Sequence, residues 1–204
     1  MAKKGKFIVF EGGEGSGKDT QIELVKQSFP DFVFTREPGG TKVGEKIRSI
    51  LLNKDSDDMG VKTELLLFLA SRAELLEEVI IPELENGKTV VSNRFGLSTI
   101  AYQIYGRDRL EYLNFLKDLS NFIVGKYSPD LYILLDVDPE VGLKRVSNRH
   151  GKNTRFDDEK LNFHKRTRDG YVKHIGDFGE HKIIDANQSV DIIQQKVREI
   201  LKSI

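Results

Sequence analysis

Five short runs built around β-branched or aromatic residues punctuate the chain: KFIVFE at 6–11, DFVFT at 31–35, KTVVSN at 88–93, DLYILLDV at 130–137 and HKIID at 181–185. Their apolar cores are continuous rather than alternating, the pattern of strands covered on both faces, and turn residues bound them. Between them, apolar positions recur every three or four residues in TQIELVKQSF, TELLLFLASRAELLEEVIIPELE, LEYLNFLKDLSNFIV and PEVGLKRVSN. A last helix-period segment, VDIIQQKVREILKSI, follows Ser189 as N-cap and carries Asp191 in its first turn, where the helix dipole favours a carboxylate. Two-sided strands alternating with helices predict an α/β fold, a five-stranded parallel sheet flanked by crossover helices. No Pro/Gly/Ser-rich linker divides the chain and 204 residues suit one domain rather than two, so a single domain over 1–204 is expected.

Charge narrows the range of partners. Lys plus Arg and Asp plus Glu number 32 each, so no overall basic field points to nucleic acid or an anionic membrane, and any phosphate recognition has to be local. There is no cysteine, hence neither a disulfide framework nor a thiolate metal site, in keeping with a reducing cytosol. The N-terminal MAKKGKFIVFEGG breaks its apolar run within five residues, and LLLFLA at 65–70 falls far short of the roughly 18 apolar residues of a membrane span. A soluble, cytoplasmic protein that binds neither nucleic acid nor membrane is expected.

Local phosphate chemistry appears directly after the first strand, where the chain reads FEGGEGSGKDTQ, Phe10 to Gln21. Gly12, Gly17 and Lys18 match the G-x-x-x-x-G-K of a phosphate-binding loop. Chance alone produces such a string in about one chain in fifteen of this size, given glycine at about 7% of residues. Its position between a strand and a helix is what the mechanism requires: glycines let backbone N–H groups point at phosphate oxygens, and the helix N-terminus adds partial positive charge. Gly12, Gly13, Glu14, Gly15, Ser16, Gly17, Lys18, Asp19 and Thr20 are therefore candidate ATP-binding residues, with Lys18 the catalytic cation on the β- and γ-phosphates. Asp19 departs from the motif, which places there a hydroxyl that ligates the nucleotide's magnesium.

Further stretches narrow the reading. TREPGGT (Thr35 to Thr41), EKIRSILL (Glu45 to Leu52), FLASRAE (Phe68 to Glu74), NRFGLSTIAYQ (Asn93 to Gln103) and PDLYILLDVDPEVGLKR (Pro129 to Arg145) occur in an order and at spacings that resemble the thymidylate kinases, from about residue 6 to about residue 175. The resemblance implies phosphoryl transfer from ATP, with Mg2+, to dTMP, giving dTDP in dTTP synthesis, on a P-loop kinase fold that is usually a homodimer. It also implies that Phe68 stacks on thymine while Arg72 donates to a base carbonyl. These two residues stand four apart on one helix face, and the alternative is a core phenylalanine with an arginine reaching solvent. Arg48 and Arg94 resemble the ligands of the acceptor phosphate, with Arg36 assisting, a role that suits guanidinium's parallel donors; structural ion pairs are the alternative. Tyr102 resembles the residue that crowds the sugar C2′ and favours deoxyribose, and Glu14, Ser98 and Gln103 are candidates around the same nucleotide.

Phosphoryl transfer asks chiefly for charge neutralisation. Some thymidylate kinases carry an arginine inside the phosphate loop, whereas GGEGSGK has none. The polar, basic segment RHGKNTRFDDEKLNFHKRTR, 149–168, resembles the mobile lid that supplies arginines in the other branch of the family. A short basic lid near 148–160 is therefore expected, with Arg149 and Arg155 as catalytic cations and Lys152 as a lesser candidate. Lys160, Lys165, His150 and His164 read as solvated surface. Family members typically carry a hydroxyl after the loop lysine and an aspartate before the arginine of the third strand. Here those places hold Asp19 and Asn93, as if one carboxylate had been exchanged across the magnesium, with Asp19 and Glu14 as metal ligands and Asn93 an indirect one. The alternative leaves Asp19 turned away and Thr20 or water serving the metal. Among other classes, a GTPase would need a late N-K-x-D, and NKDS at 53–56 is early and lacks the aspartate. A deoxynucleoside kinase would have no use for the TREPGGT segment and paired arginines, and a non-catalytic ATP-binding P-loop protein none for a basic lid; a slow or defective enzyme, marked by the departures at Asp19 and Asn93, is the remaining alternative.

Overall fold

The computed structural model describes residues 4–148 and 154–204. Strands β1 (Phe7–Glu11), β2 (Val33–Arg36), β3 (Val90–Asn93), β4 (Leu131–Asp136) and β5 (His181–Asp185) form one parallel sheet in the order β2-β3-β1-β4-β5. They coincide, within two residues at either end, with the five apolar runs of the sequence. The central strand, β1, is buried at every position because both of its faces are covered. Ile8 and Phe10 pack with Ile22 and Val25 of helix α1 (Lys18–Ser28) and Ile193 and Val197 of α9 (Val190–Lys202). On the opposite face Phe7 and Val9 meet Leu75, Leu84, Phe95 and Tyr171. This is the P-loop kinase α/β architecture that the sequence resemblance implies.

Two further helices carry the acceptor-side residues expected from the sequence. α2 (Lys42–Leu52) starts at Thr41, whose side chain accepts from Gly44 N. α3 (Val61–Leu75) continues through a π-helical turn, Leu76–Ile80, into α4 (Ile81–Glu85), which accounts for the long apolar period over 63–85. After β3, α5 (Gly96–Thr99) opens into a second π-helical stretch, Ile100–Gly106, a backbone form that concentrates at functional sites. α6 (Leu113–Val124) lies against α3 through Leu116, Leu65 and Leu69. α7 (Pro139–Ser147) begins at Asp138, which caps Glu140 N, and α9 at Ser189, which caps Ile192 N as its sequence suggests. Among the described residues no helix is long and apolar enough to cross a membrane.

The segment read as one polar lid divides in two. Leu161 onward is helix α8 (Leu161–His174), whose Phe163, His164, Thr167, Tyr171 and His174 form a buried face. His164, expected on the surface, is only 5% exposed, because that face seats against the π-helical stretch and the phosphate loop side of the sheet. Its Nε2 has no hydrogen-bond partner among the described residues, and burial lowers the imidazole's pKa. Arg149, His150 and Lys152 lie outside the described residues.

Candidate active site

The loop between β1 and α1 is shaped by backbone that only glycine accepts without strain. Gly17, the residue before α1, sits at φ +85°, and a Cβ on Gly15, at φ +69°, would come within 2.1 Å of Gly142 O in α7. Lys18 is folded into this loop, its Nζ donating to Gly12 O at 2.7 Å, Gly13 O at 3.1 Å and Ser16 Oγ at 3.2 Å. Burial and the neighbouring Arg94 bring its pKa down to about 7, against the upward pull of Glu14 and Asp19. An ammonium wrapped by carbonyls and crowded by a guanidinium is a site short of negative charge.

A single cavity of about 770 Å³ runs from this loop across the C-terminal ends of the strands, where open α/β sheets place their ligands. Glu14 through Thr20 line one part, and Arg36, Arg48, Phe68, Arg72, Arg94, Ser98, Tyr102 and Gln103 line another. The candidate residues from five separate sequence stretches are thus brought to one surface; Gly12 and Gly13 lie behind it, as the carbonyls that hold Lys18.

Arg94 is the junction. Its backbone is held at φ +73°, a left-handed conformation that costs a non-glycine residue on the order of 1 kcal/mol or more. That turn, just past the end of β3, aims the guanidinium across the cavity floor. Nη1 donates to Gly12 O at 2.9 Å, Tyr171 Oη at 2.8 Å and Ser98 Oγ at 3.2 Å, while Nη2 donates to Glu14 Oε1 at 2.7 Å and Tyr102 Oη at 3.1 Å. Burial would raise the Glu14 carboxyl, but Arg94, Lys18 and the Tyr102 hydroxyl, which donates at 2.7 Å, outweigh it and bring its pKa to about 2. Glu14 is therefore a committed anion whose hydrogen bonds go to Arg94 and Tyr102.

The other arginines divide by partner. Arg72 is buried, gripped by Glu37 through Nε at 3.0 Å and Nη2 at 2.7 Å, and donates to Thr99 Oγ1 at 2.8 Å. Its Nη1 is buried with no partner among the described residues, leaving one donor for a ligand in the cavity it lines. Arg48 donates to Pro38 O at 2.7 Å; burial and the like charges of Arg36 and Arg94 lower its pKa. Such mutual repulsion among three guanidiniums is relieved by an anion between them. Arg36 is exposed and paired with Glu45 at 3.1 Å. Phe68 presents its ring to the cavity near Phe156, centroids 6.2 Å apart, and Gln103 Nε2 donates to Glu64 Oε1 at 3.0 Å.

Arg155 does not join this group. It is 3% exposed, its Nε donating to Leu51 O at 2.6 Å and its Nη2 to Glu64 Oε2 at 2.5 Å. The structure places this expected lid cation away from the phosphate loop, held by the buried carboxylate of Glu64, which is unremarkable in sequence.

Asp19 and Asn93 meet at the edge of the loop, with Asn93 Nδ2 donating to Asp19 Oδ1 at 2.6 Å. Asn93 Oδ1 is buried and has no partner among the described residues. A carboxylate and an orphaned amide oxygen side by side are hard donors that fit a magnesium ion retaining several waters and carried by a nucleotide. Among the described residues no three His, Cys, Asp or Glu side chains converge as a cage, so protein groups alone would not supply a full ligand set.

Several contributors to the site went unread in the sequence. Glu11 ends β1 fully buried, accepting from Phe95 N at 2.9 Å and Ser98 N at 3.1 Å, and so sets the start of α5 beside Arg94. Tyr171 reaches Arg94 from α8, and Arg145, Gln188, Ser189 and Val190 line the end of the cavity beyond Thr20.

Comparison with known proteins bears on this geometry. A family model described as Thymidylate kinase matches residues 10–197. The chain is similar to the thymidylate kinase of Clostridium novyi (strain NT), 42% identical over 205 residues that cover 98% of this chain and 99% of that one. It is 44% identical to the thymidylate kinase of Acholeplasma laidlawii (strain PG-8A), over 97% of this chain and 100% of the relative. With the thymidylate kinase of Lactobacillus helveticus (strain DPC 4571) identity is 39%, over 98% of each chain.

Proposed function

The chain belongs to the thymidylate kinase family and transfers the γ-phosphoryl group of ATP to dTMP, giving dTDP and ADP; on that premise we propose how its own residues divide the reaction. The supporting observation is the one cavity that joins the phosphate loop to Arg48, Arg94 and Phe68. Donor phosphates lie along the backbone N–H groups of Gly13 to Thr20, where Lys18 exchanges its carbonyl partners for phosphate oxygens. The donor base lies beyond Thr20, toward Arg145 and Val190. Arg48 and Arg94, with Arg36 at the rim, hold the acceptor phosphate, and Phe68 stacks on thymine while the free Nη1 of Arg72 donates to a base carbonyl. Tyr102, fixed by Glu14 and Arg94, stands at the sugar, with Ser98 and Gln103 behind it.

Arg94 touches both the loop carbonyl of Gly12 and the acceptor side, so it is the cation we assign to charge developing between the two nucleotides, with Arg149 as a second. Asp19 and Asn93 would hold the magnesium that accompanies ATP. When bound, that ion neutralises charge on the phosphates. Phosphoryl transfer here needs positioning and a dry, positive environment more than a base, and these residues supply both.

We also propose a homodimer formed through α6 and α3, on which Phe115, Phe122 and Leu66 are exposed, acting on free nucleotides in the cytoplasm. The activity is tested by ADP release from ATP and magnesium with dTMP, dUMP, dCMP, AMP, thymidine and no acceptor in parallel. Turnover with dTMP well above the others is the expected result; silence with every acceptor despite ATP binding would make the protein a non-catalytic P-loop module.

A further inference from the structure

Glu64 is a fully buried carboxylate in the first turn of α3, one helical turn before Phe68, and it gathers side chains from two distant segments. Gln103 Nε2 donates to Oε1 at 3.0 Å. Arg107 reaches both oxygens, 3.3 Å from Nε and 3.1 Å from Nη2, and Arg155 Nη2 donates to Oε2 at 2.5 Å. Burial favours the neutral acid, but Arg107 and Arg155 outweigh it and lower the pKa, so the carboxylate is charged.

Arg155 also donates to Leu51 O in the last turn of α2. One guanidinium thus ties the helix of Arg48 to the helix of Phe68 and Arg72. The next residue, Phe156, is buried and lines the cavity, its ring 6.2 Å from that of Phe68 and 5.7 Å, edge-on, from that of Tyr102. The rest of the segment is fastened by Glu159 to Arg107 and by Asp158 to Lys54. Removing a partner from a buried ion pair is destabilising, and in this network Thr154, Phe156 and Asp157 form cavity wall.

We propose that Glu64 is a positioning residue for the acceptor nucleotide: through Arg155 it holds Phe156 against Phe68 and so shapes the base pocket, with Arg155 the pin of that wall and not a cation on the transferred group. The inference rests on the reading that Phe68 meets the acceptor base. Releasing residues 154–160 from Glu64 then weakens dTMP binding while leaving the phosphate loop intact, and dTMP in turn stabilises the segment, since coupling between binding and ordering is reciprocal.

Arg155→Met, Arg155→Lys, Glu64→Gln and the Glu64→Gln/Arg155→Met pair are assayed as full-length protein with magnesium and ATP, beside Phe68→Ala, each with a thermal melt. Arg155→Met should raise KM for dTMP about tenfold while KM for ATP changes by less than about twofold, and the pair should lose less than the product of the single losses, as contacts of one network do. Arg155→Lys, which keeps the charge but not the two-pronged contact, should fall between. A kcat loss of about 10³ with KM for dTMP unchanged would make Arg155 a phosphoryl-group cation and overturn the proposal. A lower melting temperature with both KM values unchanged would reduce the network to support of the fold and overturn it equally. If Phe68→Ala leaves KM for dTMP unchanged, the acceptor reading itself fails; if it raises that KM and Arg155→Met does not, only the present inference fails. Should Glu64→Gln not fold, the two Arg155 variants decide the matter alone.

Discussion

Asn93 Nδ2 donates to Asp19 Oδ1 at 2.6 Å, joining the C-terminal end of β3 to the first turn of α1 at the mouth of the phosphate loop. The two residues that depart from the family's usual pattern are therefore in direct contact, and their chemistries are complementary: an amide beside a carboxylate. An aspartate substituted at 93 alone would set two carboxylates within hydrogen-bond distance, forcing one to take a proton or a metal. A threonine substituted at 19 alone would remove the only acid of the pair. Asp19→Thr and Asn93→Asp should each lower turnover, the second more severely, and the double variant should regain much of the loss, with coupling of about 1 to 3 kcal/mol. ATP affinity measured with and without magnesium supplies a readout besides turnover, because the single variants should change its metal dependence. Strictly additive losses would refute the exchange.

Phe68 offers a ring face to the cavity, and its nearest aromatic neighbour, Phe156, is tilted by 54° rather than stacked on it. Phe156 therefore does not take the stacking position that a planar base would occupy. Phe68→Ala should cost about 1 to 3 kcal/mol of dTMP affinity, roughly fivefold to 150-fold, and leave ATP affinity unchanged. Titration calorimetry with each nucleotide separately checks this.

The strands and the phosphate loop were legible in sequence because each rests on local physics: apolar runs covered on both faces, and glycines where the backbone must turn left-handed. The Asp19 and Asn93 departures were legible too, as a mismatch with a motif. What escaped depends on long-range pairing. Arg155 and a solvated lid arginine have the same sequence signature, and only the fold brings Glu64, 91 positions away, against it. α8 hid for a different reason. Its buried face is Phe163, His164, Thr167, Tyr171 and His174, a spacing that is helical but composed largely of polar types, so an apolar-period reading passes over it. Glu11 likewise looks like the polar end of a strand, and its role follows only from the backbone N–H groups of Phe95 and Ser98 that turn toward it.

Lys18 has a pKa of about 7 in the nucleotide-free protein because burial and Arg94 disfavour its charge. Phosphate oxygens favour the charged form, so the pKa rises when ATP binds. Below about pH 7 the ammonium is already present and binding moves no proton there, whereas above it binding must take one up, so ATP affinity should fall by up to about tenfold per pH unit as pH rises from about 7 to 9. Calorimetry in buffers of different ionisation enthalpy should register uptake approaching one proton at pH 8.5 and little at pH 6. Lys18→Met should abolish that uptake; equal proton counts at both pH values would place the lysine's pKa elsewhere.

Phe122 is 82% exposed on α6 and Phe115, two turns before it on the same stripe, 57%. Leu66, on the adjoining α3, is also exposed, while its neighbours Leu65 and Leu69 are buried against Leu116. Burying one such ring is worth about 1.5 to 3 kcal/mol, and a twofold interface buries every residue of the patch twice. A water-exposed patch of this kind is costly in a monomer and is the expected centre of a self-association surface. Phe122→Asp should therefore convert a dimer into a folded monomer in size-exclusion chromatography with light scattering at micromolar concentration, and its melting temperature should no longer depend on protein concentration. Because the side chain makes no core contact, failure to fold would not be expected. A protein that runs as a monomer without the substitution, or a variant that stays dimeric, would move the interface elsewhere or remove it.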